Sequence, residues 1–368
     1  MDVQAHTRVC PRSGVFWFLL VAQSLAVAFG IAFTRKSSRD RHLVIVLLVI
    51  LMYMETRLLP CLTGPPILRG TFTFFCLLKA WHFISILAIV GIELHDLTDP
   101  TKKLHRSKPI RRLLAAATVL FSFRGIGTSW MIQSVRPVPA RDRLSSGVVL
   151  TGSLVHRVAT IMWQVVVLDL IFLGYIDDLR RSKPHLFAAG TEFLGPQSTA
   201  EQLRARTILC IVGIIGLGML MDLTHKLLAI ICVGMRISSW DDWPPAFGDI
   251  KHAYTVRQFW SKFWHQFFRW PTTTISTFAR HHLRRFIRLP AALDQLLGLT
   301  LIFGLSGFTH WMAAVYAEVP GDLTGIFAFF LVSSLVIPLE DVCWRAYARL
   351  IGQYPRWRLP RRGEASGG

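Results

Sequence analysis

The sequence predicts an all-α polytopic membrane protein, with about 7–9 transmembrane helices and interfacial amphipathic helices, on three observations. Only 17% of the 368 residues are charged and 52% are hydrophobic, whereas ordinary soluble domains carry about 25% charge. Several apolar runs approach or exceed the ~20 residues of helix that cross a bilayer core, and they are continuous rather than alternating, which argues against a β-barrel. The basic residues are gathered in short stretches between those runs. The mean hydropathy of +0.43 agrees.

The first span is 15–33 (VFWFLLVAQSLAVAFGIAF). Arg8 and Arg12 precede it as they would a signal peptide. The run is longer than a signal core, however, and TRKSSRDRH follows instead of a small-residue cleavage site, so it reads as a retained helix. Further spans are expected at 43–54, 71–92, 157–176, 207–235, 291–317 and 323–339. Residues 113–123 (LLAAATVLFSF) are too short to cross upright and read as re-entrant or interfacial. Residues 60–70 (PCLTGPPILRG) read as a tight non-helical connection, because each proline restricts itself and its predecessor. The stretches 136–147 and 184–197 read as interhelical loops.

Residues 236–290 are too polar to span and too aromatic for a solvated loop. Interleaved aromatic and basic residues suit helices lying at the membrane surface, with tryptophans at headgroup depth and arginines snorkelling. SSWDDWPPAFGDI reads as a rigid turn, and from Thr255 the stretch VRQFWSKFWHQFFRW reads as helix up to Pro271. On such a helix Phe259, Phe263 and Phe267 share one stripe. His265 would then lie on a polar edge beside Ser261, Lys262 and Arg269, in a stretch with no carboxylate between Asp249 and Asp294.

The net charge of +19 is read as topology, with basic loops facing the cytosol and anionic lipid, since no nucleic-acid-binding motif accompanies it. The loops 35–41, 102–112 and 251–290 and the tail 345–362 are then cytosolic. The connection AEVPGD, with Glu318 and Asp322 but no cation, suits the opposite face. Cysteines at 10, 61, 76, 210, 232 and 343 show no paired spacing, so packing is expected, and neither a disulfide framework nor a thiolate zinc site. HHLRR at 281–285 is not read as a metal site, because adjacent histidines diverge on a helix and no carboxylate is near.

WPPAFG, the FWSKFWHQFFR segment and SGFTH, preceded by RGIGTSWMIQSVRPVP at 124–139, resemble the wax-synthase-like branch of the membrane-bound O-acyltransferases, of the fungal terpenoid type. The motifs occur in family order over roughly 124–345. Ser261 and Thr128 stand where the family often has glycine and tryptophan. By hydropathy residues 1–123 read as N-terminal transmembrane helices and by composition 346–368 reads as a basic, disordered cytosolic tail, while the resemblance implies an acyltransferase region over 124–345 of the same membrane domain. It implies His310 as the catalytic histidine and His265 as its companion. It further implies acyl transfer, most simply of acetyl from acetyl-CoA, to a hydroxyl of a lipophilic terpenoid or sterol-like alcohol, in a multi-pass protein of the endoplasmic reticulum.

The residues carry their own chemistry. His310 lies inside an apolar span, where an ionisable group marks a pathway or site more often than in a soluble core. Ser306 and Thr309 offer local hydrogen bonds, and Gly304 and Gly307 leave room for close approach. An alcohol needs a base within hydrogen-bond reach, and a neutral imidazole suits that task; His265 would orient the thioester or donate to its carbonyl oxygen. Lys262, Arg269, Arg284 and Arg285 are candidates for the phosphates of coenzyme A, with Arg280 beside them and Trp264 to stack on adenine. Each of these cations also reads as a membrane-surface anchor. Two rivals use other residues: a membrane terpene cyclase protonating through Asp169 or Asp222, and a transporter with an Asp222–His225 proton relay. Glu93, His95 and Asp96 read as a polar helix end, and Glu340 and Asp341 as partners for Arg345.

Overall fold

Each of the seven expected spans is a helix in the computed structural model, which describes residues 13–62, 64–97, 109–135, 138, 147–188, 195, 198–235 and 238–351. The α-helices that organise the chain are α1 (Ser13–Phe33), α2 (Arg39–Leu58), α3 (Pro66–Ile84), α4 (Pro109–Ala117), α5 (Gly147–Asp169), α6 (Ala200–Gly234), α7 (Arg269–Leu283), α8 (Ala291–Tyr316) and α9 (Thr324–Ile351). All but α4 and α7 belong to segments long and apolar enough to cross a membrane, seven among the described residues. π-helical turns prolong α3 over Ser85–Val90 and α5 over Leu170–Ile176. The chain is therefore a multi-pass α-helical membrane protein.

Several boundaries differ from the sequence expectation. The connection expected over 60–70 is shorter, because Leu59–Cys61 form a 3-10 turn and α3 begins at Pro66. Proline at the first helical position lacks only an N–H that has no intrahelical partner there. The short apolar stretch 113–123 contributes to α4, which ends at Ala117 and gives way to turns. Residues 346–351, expected to open the tail, continue α9, while 352–368 lie outside the described residues. Arg8, Arg12, Cys10, the 102–108 stretch and most of the 136–147 loop also lie outside them.

The largest correction concerns 255–271. Instead of one helix reaching Pro271, a turn of α-helix at Val256–Gln258 leads into a π-turn at Phe259–Phe263, and Trp264 is extended at φ −61° and ψ 150°. The chain stays non-helical until α7 starts at Arg269, so Pro271 falls in a first turn that tolerates it. His265 therefore sits in a break between helical segments, and the expected helical stripe through Phe267 does not form.

α8 is the central pillar, packed against α3, α7 and α9. Its glycine and alanine contacts set the spacing: a Cβ on Gly307 would lie 3.0 Å from the Phe330 Cβ of α9, and one on Gly70 of α3 would lie 2.5 Å from the Ala313 carbonyl oxygen. Between α1, α2 and α3, the buried Glu55 carboxylate accepts from Lys79 Nζ at 2.7 Å and from Gln23 Nε2 at 3.1 Å. A charge inside a membrane domain needs such a partner, and this pair ties the three helices together. α5 and α6 pack mainly on each other, and few of the residues in their apolar stretches are buried.

Candidate functional site

His310 projects from α8 with its Nδ1 2.9 Å from the Ser306 carbonyl oxygen. Ser306 was expected to offer a local hydrogen bond, and it does so through its backbone carbonyl. A carbonyl only accepts, so Nδ1 carries the hydrogen and the neutral ring presents its lone pair at Nε2. Three phenyl rings surround the imidazole: Phe74 of α3 at 5.1 Å, Phe330 of α9 at 4.7 Å and Phe268 at 6.0 Å between centroids. The neighbouring Thr309 is fully buried; its hydroxyl accepts from Trp81 Nε1 at 3.0 Å and donates to the Leu305 carbonyl at 2.9 Å. That contact fixes the rotation of α8 against α3.

The 255–268 segment is held from two sides. Glu340 of α9 accepts from the Val256 and Arg257 amides at 3.0 and 3.2 Å, and Asp341 pairs with the Arg257 guanidinium. These carboxylates were expected to pair with Arg345, whose Nε donates instead to the Asp341 backbone oxygen, at 3.2 Å. The buried Gln266 donates to the carbonyls of Trp260 at 3.2 Å and Trp264, and it accepts from Arg269 Nη1 at 3.1 Å and Ser134 Oγ at 3.4 Å. Two backbone carbonyls satisfied by one side chain explain why the helix ends where it does.

His265 consequently lies among rings and not on a cationic edge. Its imidazole is stacked on Phe267 at 5.6 Å and lies beside Trp264 at 5.5 Å, Phe247 at 6.1 Å and Phe268 at 6.4 Å between centroids, and its Nδ1 has no hydrogen-bond partner among the described residues. Phe268 thus contacts both histidines, which are 45 positions apart in sequence and meet across one phenyl ring.

Burial, with His310 and Arg124 nearby, pushes the His265 imidazolium down to about 3, so the ring is neutral at ordinary pH. An unfolded histidine titrates near ~6.5. Between those values the unfolded chain binds the additional proton, so this site's contribution to stability rises with pH and is lost on acidification from neutrality. Detergent-solubilised protein is expected to melt at a lower temperature at about pH 5 than at about pH 7, with a shallower dependence in His265→Gln. Equal pH dependence in both proteins would contradict this.

Arg124 was not singled out from the sequence, although it opens the RGIG stretch. Its guanidinium is only 4% exposed. Nη1 donates to the Pro245 carbonyl at 2.6 Å, and Nη2 to the Pro244 carbonyl at 2.8 Å and to His225 Nε2 at 3.1 Å. The group also lies over the Phe267 ring, 5.0 Å from its centroid. Two of the recognised motifs are thereby joined by hydrogen bonds.

The cations expected to bind phosphate do not form one cluster. Arg269 opens α7 and Arg284 follows its last residue, so they are about 22 Å apart along the helix axis at ~1.5 Å per residue. Arg269 Nη1 is shared among Gln266, Ser134 Oγ at 2.7 Å and the Ser261 carbonyl. Arg280 and Arg284 both clamp the buried Asp294 of α8, so Arg284 holds a helix corner and its charge is largely compensated. Arg285 leans on His281 at 3.3 Å. Trp264 is stacked on Phe259 at 5.5 Å, which occupies one indole face. Lys262 is exposed and adjoins the break.

The rival constellations are differently partnered. Asp222 pairs with Lys226 and accepts from Gln164 Nε2 at 2.8 Å, while His225 is bound to Arg124; the Asp222–His225 relay pair is not formed. Asp169 lies on the exposed face of α5. Glu93 accepts the Lys36 amide at 2.6 Å beside a 3-10 turn at Leu94–Leu97, as a polar helix end should. A cavity of about 450 Å³ lined by Thr34, Arg35, Glu93, His95 and Arg112 includes neither His265 nor His310.

The model of the Membrane bound O-acyl transferase family matches residues 243–332, which contain both histidines. Three fungal proteins are similar over much of the chain. Acetyltransferase pyr8 of Aspergillus fumigatus is 28% identical over 91% of this chain and 78% of its own length. Acetyltransferase ataH of Aspergillus terreus is 30% identical over 66% of this chain and 80% of its own length. Acetyltransferase TRI7 of Fusarium sporotrichioides is 29% identical over 74% and 63% respectively. No solved structure matches the chain.

Proposed function

The chain belongs to the membrane bound O-acyl transferase family, and from that premise we propose that it transfers acetyl from acetyl-CoA to a hydroxyl of a lipophilic terpenoid or sterol-like alcohol, with His310 as the base. The observation that carries this reading is the His310 hydrogen bond to the Ser306 carbonyl, which in a neutral imidazole places the lone pair on Nε2, inside an aromatic surround. The acetyltransferase names of the similar proteins support acetyl as the group transferred.

In the reaction, His310 Nε2 takes the hydroxyl proton as the alcohol oxygen attacks the thioester carbonyl carbon. The carbon–sulfur bond breaks, the new carbon–oxygen bond completes the ester, and the imidazolium returns the proton to the coenzyme A thiolate. His265, neutral and one phenyl ring away, donates its N–H to the carbonyl oxygen as negative charge gathers there. Aromatic walls keep water from competing with the alcohol. Lys262 and Arg269 beside the break, and Arg285 further along, are the cations offered to the phosphates of coenzyme A; the compensated Arg284 is a weaker candidate. Basic surface loops suit the cytosolic side of the endoplasmic reticulum membrane.

Membranes containing the protein, supplied with acetyl-labelled coenzyme A and a hydrophobic extract, are expected to yield a labelled lipophilic ester that carries one additional acetyl group. A product of unchanged mass would favour cyclisation, and absence of labelled product across a broad panel of alcohols would count against the acetyl reading.

A further inference from the structure

We propose that Arg124 is a positioning residue for His265, acting through Phe267 and the Pro244–Pro245 carbonyls. The inference rests on the reading of His265 as part of the reaction centre. A guanidinium 4% exposed would ordinarily be matched by a carboxylate, yet the hydrogen-bond partners of Arg124 are two proline carbonyls and an imidazole nitrogen, all neutral. Burying a cation with neutral partners is costly. Its return here is geometric: one planar fork joins the RGIG turn, α6 through His225, the WPP loop and the non-helical break.

The turn is shaped for this reach. Gly125 and Gly127 have φ of +64° and +74°, a region that glycine enters without strain, so the chain reverses immediately after Arg124. Proline has no N–H with which to join a regular backbone ladder, and two in succession here present adjacent carbonyl acceptors to Nη1 and Nη2. The guanidinium then covers Phe267, and the Phe267 ring is stacked on His265 at 5.6 Å with 27° between planes. His225 closes the arrangement from α6, 5.9 Å from Phe267 and 5.2 Å from Trp243. The side-chain hydrogen bonds made by the His265 flanks come from Gln266, so the orientation of the His265 ring is set mainly by the rings around it, and Phe267 is the one that Arg124 holds.

The test compares kcat and KM for acetyl-CoA in membranes, normalised to protein abundance. Arg124→Gln keeps a donor but loses the fork and the ring contact, and it is expected to lower kcat by roughly ten- to a hundredfold with KM near the wild-type value. Arg124→Lys, which keeps the charge and one donor, should recover part of that loss. Phe267→Leu leaves the contacts to the proline carbonyls in place and is expected to reproduce the kcat loss, which keeps the question answerable if Arg124→Gln fails to accumulate. Wild-type kcat in Phe267→Leu, or in an accumulated Arg124→Gln, would overturn the proposal. His265→Ala, measured in parallel, separates the two claims: wild-type kcat there would remove the reading of His265 itself.

Discussion

Alanine at position 310 is expected to lower kcat for ester formation by roughly 10³-fold, within the 10²–10⁴ that a positioned general base contributes. Protein abundance should stay near that of the wild type. The lost hydrogen bond is local, and the Ser306 carbonyl retains the helical amide bond that α8 provides, so no buried acceptor is stranded. The rings of Phe74, Phe268 and Phe330 lose one neighbour, while the contacts of Thr309 with Trp81 and of Gly307 with Phe330 persist. Glutamine refines the result, because it can donate to the Ser306 carbonyl but offers no basic nitrogen. His310→Gln should therefore be as inactive as the alanine variant. Initial rates normalised to immunoblot signal check both, and an active glutamine variant would limit His310 to an orienting role.

The second large effect is expected at Gly248 in the WPPAFG loop. A Cβ there would stand 1.9 Å from the Lys262 carbonyl oxygen and 3.2 Å from the Phe263 Cα, both backbone atoms that have no rotamer to escape into. The Gly248 amide also donates to the Phe263 carbonyl at 2.8 Å, so the loop and the 259–263 turn are pressed backbone to backbone. Gly248→Ala must separate them, and Trp264 and His265 follow directly on the displaced turn. A shift of ~1 Å at a reacting group can cost about a hundredfold, so activity is expected to fall at least that far, with reduced abundance. Gly213→Ala in α6, where nothing lies within 4 Å of the added atom, should leave both unchanged. Wild-type activity in Gly248→Ala would contradict the close contact.

The membrane helices were legible because partition into a bilayer depends on composition summed over some 20 residues, which no distant contact reverses. His310 was legible for the related reason that an ionisable side chain is conspicuous within such a run. The break at Trp264 was not. Residues 255–270 carry an acceptable helical pattern, and what ends the helix is Gln266 hooking the carbonyls of Trp260 and Trp264 while Glu340, more than eighty residues on, anchors the start. Tertiary contacts of that kind leave no local periodicity. Arg124 gave only a weak signal, an arginine before two glycines, because its partners are more than a hundred residues away at His225, Pro244 and Pro245. Arg284 misled in the opposite direction. It looked like a free cation until Asp294, ten residues later, proved to fold back onto it across the α7–α8 corner.

The central claim is that His265 and His310, facing one another across Phe268, act in a single acyl-transfer step. The most direct measurement is the rate of labelled acetyl transfer in His265→Ala, His310→Ala and the double variant, at matched abundance and with free coenzyme A thiol measured alongside. Residues that serve one step are strongly non-additive. The double variant is therefore predicted to be no slower than His310→Ala, with ester formation and thiol release lost together. Wild-type turnover in His310→Ala, or losses that multiply independently in the double variant, would contradict it.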